Sequence, residues 1–357
     1  MTTARNNDVS GGGAAAHAPR QSVSGNKSQQ RHGPVLAALD LGTNNCRLLI
    51  ATPAPEEKQG FTVIDAFSRV VRLGEGLSRH PRLQEDAIAR TLEALGLCQR
   101  KLRRHAVTHA RAVATEACRR AVNGADFLAK ANNVLDLKIE VIATAEEARL
   151  AMLGCAPLLD QVTPHAIMFD IGGGSTELIW LRLREAKTPE LIDHVSLPCG
   201  VVTLTEEFGS DRVSDADYAT MVTRVRDLLQ DFDRRHDIAA ALAAGQVQMV
   251  GSSGTVTTLA GVLRGLQRYQ RSIIDGCVMQ VTEAKQVSEQ IRVLDFKGRA
   301  AIPCIGEDRA DLVVAGCAIL EAIYDTWPVV QFRIGDRGLR EGILTDFMNS
   351  LRTHHNG

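Results

Sequence analysis

Two stretches of this chain repeat one pattern of apolar and polar positions. In each, an apolar run carries an aspartate near its end: Ala38-Leu39-Asp40-Leu41 in the first, Met168-Phe169-Asp170-Ile171 in the second. Each gives way to glycine and small polar residues, Gly42-Thr43-Asn44-Asn45 and Gly172-Gly173-Gly174-Ser175, then resumes through Leu48-Leu49-Ile50 and Leu178-Ile179-Trp180. Overlaid, Asp40 falls on Asp170, Gly42 on Gly172, Arg47 on Glu177 and Leu48 on Leu178. Short apolar runs flanking such a turn predict a β-hairpin, and its recurrence predicts two related domains.

The remaining pattern fills in around the hairpins. Phe61 to Phe67 alternates as a strand, whereas Ile88, Leu92, Leu95 and Leu102 recur at the spacing of an amphipathic helix from Glu85 to about His105. Ala112 to Ala121 reads as a short strand entering a helix, and Lys138 to Ile142 as a strand followed by a helix from Thr144. Helices are expected from about Asp215 to Ala243 and a strand at Gln248 that breaks into a glycine-rich helix start. Another helix opens at Glu307, and a strand at Val329 to Ile334 leads into a closing helix.

The turns suggest chemistry. Successive N–H groups in a tight turn can converge on an anion, and glycine lets a phosphate come close to the backbone. The leading aspartates would repel that phosphate unless a divalent cation, with Mg²⁺ expected, lies between them. Two such turns suggest two domains facing one phosphate chain.

Composition narrows the class. The 357 residues suffice for two domains, and 45% hydrophobic with 23% charged residues is the balance of an ordinary globular protein. A net charge of −1 supplies no global field for nucleic acid or a membrane surface, so a polyanion must meet a local basic cleft. No apolar run approaches the roughly 18 residues needed to span a bilayer. The eight cysteines are scattered without a Cys-x-x-Cys pair and read as reduced cytosolic thiols. Residues 1–33 contain no Leu, Ile, Phe, Tyr or Trp and read as a disordered tail rather than a transit peptide.

The paired motifs resemble the two phosphate loops of the actin-like ATPase superfold. The wording of Asp170-Ile171-Gly172-Gly173-Gly174-Ser175-Thr176-Glu177 is similar to the exopolyphosphatase/guanosine pentaphosphate phosphatase (Ppx/GppA) family. Further segments extend the likeness from about residue 34 to 351: Val71 to Leu77, Ala114-Thr115-Glu116-Ala117-Cys118-Arg119, Thr144 to Arg149, Leu197-Pro198-Cys199-Gly200, Arg309-Ala310-Asp311 and Gly335 to Gly342. The chain departs from the pattern at Glu116, where a small hydroxylated residue is usual, and at Ala145, where glycine is more usual.

The resemblance implies a duplicated actin-like α/β fold (ribonuclease H-like domains) facing an interdomain cleft, with domains at 34–150 and 151–351 and a short tail at 352–357. It implies phosphate contacts from Thr43, Asn44, Asn45, Arg47, Arg119, Gly172, Gly173, Gly174 and Ser175, with Arg72 assisting. It makes Glu147 the catalytic base and Glu177 a second catalytic carboxylate, and Asp40, Asp170 and Glu177 position Mg²⁺ or water. Read without it, Arg119 is a surface arginine, Arg72 a solvated loop arginine, and Thr144-x-x-Glu147 a capping box whose glutamate reaches back to an N-cap amide. The Arg309-Ala310-Asp311 segment reads as interdomain packing, and the Gly251 to Thr255 loop as either a nucleotide or distal-phosphate contact or a plain turn. His236-Asp237 lacks the partner ligands of a metal site.

The implied activity is metal-dependent release of orthophosphate from the end of inorganic polyphosphate in the cytoplasm. Guanosine pentaphosphate is the alternative substrate. Other classes are a kinase or ATPase of the same superfold and a non-catalytic sensor of polyphosphate or alarmone. A homodimer stays open.

Overall fold

The computed structural model describes residues 33–54, 56–57, 59–185 and 188–355, without the side chains of 352–355. Residues 1–32 of the expected tail lie outside the described residues. Both repeats form the expected hairpins. In the first sheet, β1 (Leu36–Leu41), β2 (Asn45–Pro53), β3 (Phe61–Val70), β4 (His109–Ala114) and β5 (Ile139–Val141) take the order β3-β2-β1-β4-β5. The second sheet contains β6 (His165–Ile171), β7 (Thr176–Arg182), β8 (Glu190–Leu197), β9 (Val247–Ser252), β10 (Val278–Gln280) and β11 (Gln331–Gly335) in the order β10-β11-β9-β6-β7-β8.

The duplication extends beyond the hairpins. Read from β8, the order β8-β7-β6-β9-β11 reproduces β3-β2-β1-β4-β5, with three antiparallel strands followed by two parallel ones in each sheet. β10 is an extra antiparallel edge strand. Register repeats as well: Asp40 stands opposite Arg47 and Asp170 opposite Glu177. β8 and β10 were not legible in the sequence pattern. β8 is half-buried along most of its length, so its apolar alternation is weak.

Parallel pairing requires crossovers. These are α1 (Glu85–Arg104) before β4, then α2 (Glu116–Arg120) and α3 (Gly124–Leu135) before β5. The basic end of α1 is absorbed by local pairs, Lys101 with Asp65 and Arg103 with Asp136, as befits cations at a helix C-terminus. α4 (Thr144–Cys155) then leads toward β6.

Strands β1 and β6 are buried on both faces. Ala37, Leu39 and Leu41 join a core with α1 and α3, while Leu36 and Ala38 face a middle core. In β6, Ala166 and Met168 meet that same middle core, and Ile167, Phe169 and Ile171 enter an outer core on the far side. The middle core is filled by α4 and by the closing helix Leu339–His355, through Leu150, Ile343 and Leu344. Layers therefore alternate helix, sheet, helix, sheet, helix, and the two turns meet at one end of the middle layer.

The closing helix fits α4 by backbone contact: a Cβ added at Gly342 would lie 1.9 Å from the Leu150 carbonyl oxygen. Gly342→Ala is therefore expected to destabilise the fold by about 1–3 kcal/mol, the usual cost of overpacking, as read by urea unfolding. Unchanged stability would show that the two helices separate without penalty. Among the described residues no helix is long and apolar enough to cross a membrane, and all eight cysteines are free.

Candidate active site

The two turns close identically. Gly42 N–H donates to the Asn45 carbonyl and Gly172 N–H to the Ser175 carbonyl, each at 2.9 Å. They also touch: a Cβ at Gly173 would lie 3.1–3.2 Å from Asn44 and Thr43. On its other side the second turn is held by α5 (Val201–Phe208), whose Val201 and Val202 amides donate to the Gly172 and Gly173 carbonyls. The Leu-Pro-x-Gly segment thus buttresses the second turn.

Between the turns lies a cavity of about 140 Å³, roughly ten times the space one water requires. It is lined by Asp40, Thr43, Asn44, Asn45, Arg47, Glu147, Asp170, Gly172, Gly173, Ser175 and Glu177. Of the residues expected at the site, Gly174, Arg119 and Arg72 do not line it. Gly174 backs onto the buried Glu116, whose Oε2 would be 1.7 Å from a Cβ there. Glu116 also accepts from Thr43 Oγ1 at 3.3 Å and pairs with Arg120 at 2.9 Å. The residue that departs from the family pattern thus fills the space behind both turns.

Arg119 stands behind Glu147, with Nη1 at 2.8 Å from both Glu147 Oε2 and the Ile142 carbonyl. The capping-box reading of Thr144-x-x-Glu147 is corrected. The N-cap of α4 is Ala143, no side chain caps it, and Thr144 is already helical. Glu147 instead accepts from Arg119 and faces the cavity. Arg72 is partly exposed and pairs with Asp311 at 2.8 Å. His236 bonds Asp193 at 2.7 Å, outside the cavity lining.

Four carboxylates share this space, all raised above their ordinary range. Burial, with the nearby Glu177 charge, pushes Glu147 up to about 8 against the opposing pull of Arg119. Burial lifts Asp170 to about 7 against Arg47, with Asp40 and Glu147 adding to it. Burial and then Asp170 bring Glu177 to about 7, although Ser175 and Ser196 hydroxyls both donate to its Oε1. Asp40 is raised by burial, opposed by Arg47 and Arg340.

Unfolded, these groups titrate near 4. From about pH 4 to about pH 8 the native state therefore binds more protons than the unfolded chain, and stability falls as pH rises. The melting temperature is expected to drop by several degrees between about pH 5.5 and pH 8.5 in chelator, as measured by calorimetry. A flat or rising profile would contradict the raised values.

The donor set suits a hard cation. Among the described residues no three His, Cys, Asp or Glu side chains cluster closely enough to enclose an ion. Mg²⁺ commonly takes only one or two carboxylates, with phosphate oxygens and water completing its shell. Buried, mutually repelling carboxylates beside a phosphate-sized cavity fit that mode.

The cations are the other half of the site. Arg47 lines the cavity from β2, and Arg309 lines it too, its Nη1 donating to Thr258 Oγ1 at 2.6 Å. Burial and the charge of Arg47 lower the pKa of Arg309. Among the described residues neither arginine forms an ion pair. Gly254, Thr255 and Thr258 of α8 (Gly254–Leu263) line the cavity as well. The sequence reading assigned Arg309 to packing, and only its place in a recognised motif signalled more.

The Ppx/GppA phosphatase family matches residues 54–351. The chain belongs to this family. Exopolyphosphatase 2 of Mycobacterium tuberculosis is 32% identical over 295 residues, 81% of this chain and 89% of that protein. A guanosine-5'-triphosphate,3'-diphosphate pyrophosphatase of Vibrio cholerae is 29% identical over 328 residues, covering 91% of this chain but 61% of its own length. This Ppx/GppA chain thus spans about three-fifths of the Vibrio relative. The crystal structure of the Aquifex aeolicus Ppx/GppA family member superposes with a TM-score of 0.70 at 27% identity, over 89% of this chain and 98% of that one. The two mixed sheets with flanking helices are accordingly the duplicated actin-like fold that the turns led us to expect. The relatives so named are hydrolases acting on phosphoanhydride bonds.

Proposed function

We propose that this Ppx/GppA chain is an exopolyphosphatase that hydrolyses the terminal phosphoanhydride of inorganic polyphosphate in the cytoplasm. The observation that supports this best is the pair of arginines, Arg47 and Arg309, that line one cavity with both glycine turns and form no ion pair among the described residues. In this reading Thr43–Asn45, Gly172, Gly173, Ser175 and Arg47 bind the terminal phosphates, and Arg309 receives the next one. Asp40, Asp170 and Glu177 would position Mg²⁺ or the water, one or two of them as ligands to an ion that would neutralise phosphate oxygens the carboxylates otherwise repel.

Glu147 then takes a proton from water as the water oxygen bonds to the terminal phosphorus. The bridging P–O bond breaks, its electrons staying on the shortened chain. A base with pKa near 8 suits proton transfer at cellular pH. Arg119 orients Glu147, and Ser175 and Ser196 fix one oxygen of Glu177. Glu116 backs the turns without touching the cavity.

Relatives carry both substrate names, so the test compares long-chain polyphosphate, guanosine pentaphosphate and ATP by phosphate release with Mg²⁺. Polyphosphate is expected to be hydrolysed fastest, and excess chelator to abolish release. Faster turnover of guanosine pentaphosphate would overturn the substrate assignment. Full activity in chelator, with no metal retained by elemental analysis, would overturn the metal.

A further inference from the structure

Two segments of the family pattern and one further residue have no part in the chemistry above: the loop around Arg72 to Leu77, the helix that follows Leu197-Pro198-Cys199-Gly200, and Asp311. The structure ties them to one another. Loop 71–79 belongs to the first half of the chain and is hydrogen-bonded to the first phosphate turn. Val71 and Arg72 amides donate to the Asn44 carbonyl at 2.9 and 3.0 Å, and the Gly74 amide donates to the Thr43 carbonyl at 2.9 Å.

The far end of the same loop grips the second half. The Gly76 amide donates to Glu206 Oε1 at 2.6 Å, the Ser78 hydroxyl donates to Glu206 Oε2, and Arg79 Nη2 reaches the Glu206 carbonyl at 3.4 Å. Glu206 lies in α5, the helix whose first amides hold the Gly172 and Gly173 carbonyls. Arg72 meanwhile pairs with Asp311, whose carbonyl accepts from Thr205 Oγ1 at 3.3 Å, and Asp311 lies two residues beyond the cavity arginine Arg309. The contacts form a closed ring: first turn, loop 71–79, Glu206, start of α5, second turn, and back to the first turn at Gly173.

The backbone bears the mark of this fastening. Arg72 has φ +50°, a left-handed conformation unusual outside glycine and maintained only where its surroundings over-determine it. Here two backbone bonds to Asn44 and an ion pair to Asp311 do so.

We propose that Glu206 and the Arg72–Asp311 pair are positioning residues: they clamp loop 71–79 across the two halves and so fix the spacing of the phosphate turns, without touching substrate. None of the three lines the cavity. Since an error of about 1 Å between reacting groups can cost as much as 10²-fold in rate, the clamp should act on turnover more than on affinity.

The test measures amide hydrogen exchange in peptides spanning 42–45 and 172–175, together with phosphate-release kinetics, on the full chain. In Glu206→Ala, exchange at both turns is expected to rise about tenfold or more. The kcat should fall about tenfold with KM within about threefold. Glu206→Gln, which can still accept from the Gly76 amide, should fall between. Unchanged exchange at 172–175 in Glu206→Ala overturns the proposal whatever the kinetics show, as does a loss confined to KM. If Glu206→Ala fails to fold, Arg72→Gln must loosen both turns in the same way. Arg72→Lys, which retains the charge, must restore at least part of the protection; otherwise the clamp is refuted. The kinetic arm rests on the hydrolase reading and the exchange arm does not, so loosened turns in a chain that hydrolyses none of the three substrates would refute that reading and leave the clamp standing.

Discussion

Glu147→Gln is expected to lower phosphate release by about 10²-fold or more at pH 8 while leaving the fold intact. The substitution removes a proton acceptor and little else. A glutamine amide is not a useful base, yet its carbonyl oxygen can accept the Arg119 Nη1–H that now goes to Glu147 Oε2 at 2.8 Å. Stability should change by less than about 1 kcal/mol, because two effects oppose. The neutral side chain no longer repels Glu177, while Arg119 loses a charged partner. Glu147→Ala differs: it takes the carboxylate from a half-buried guanidinium that otherwise bonds the Ile142 carbonyl, so it should cost stability as well as rate. Turnover above about a tenth of wild type in the glutamine variant would move the base elsewhere, with Glu177 the nearest candidate.

The reach of the sequence is instructive at this residue. The hairpins, their register and their duplication were legible because an apolar run, a glycine turn and a second run are local patterns written twice. Strand β11 and helix α1 were legible for the same reason. Glu147 was legible as important, but its neighbour was not. Thr144-x-x-Glu147 fits a local cap, and only the fold reveals that Arg119, from a separate crossover, stands close enough to win the carboxylate. Glu116 shows the same limit. As a departure from a familiar motif it signalled uncertainty, whereas the structure gives it a location behind Thr43 and Gly174. Distances between residues far apart in the chain are set by the middle layer of helices. No stretch of α4 or of the closing helix announces that it lies between two sheets. The roles of individual carboxylates came from family resemblance, and the geometry brings those carboxylates together.

Arg309→Gln should separate binding from stability in opposite directions. The wild-type guanidinium is half-buried, forms no ion pair among the described residues, and lies within the field of Arg47; its pKa is lowered by burial first and by Arg47 second. A cation in such surroundings is unfavourable to the free protein, and a neutral side chain that can still bond Thr258 relieves both penalties. The melting temperature of the variant should therefore equal or exceed that of wild type. Substrate reverses the balance. A phosphate arriving between Arg47 and Arg309 supplies the missing counter-charge, and losing one charge-assisted hydrogen bond costs about 1.5–3 kcal/mol, or roughly 10- to 100-fold in KM. The kcat should fall much less, since Arg309 bonds Thr258, whereas Glu147 is held by Arg119, and so takes no part in moving the proton. Paired measurement of KM for polyphosphate and melting temperature checks this. A variant that melts several degrees lower with KM unchanged would return Arg309 to the packing role that its sequence context first suggested.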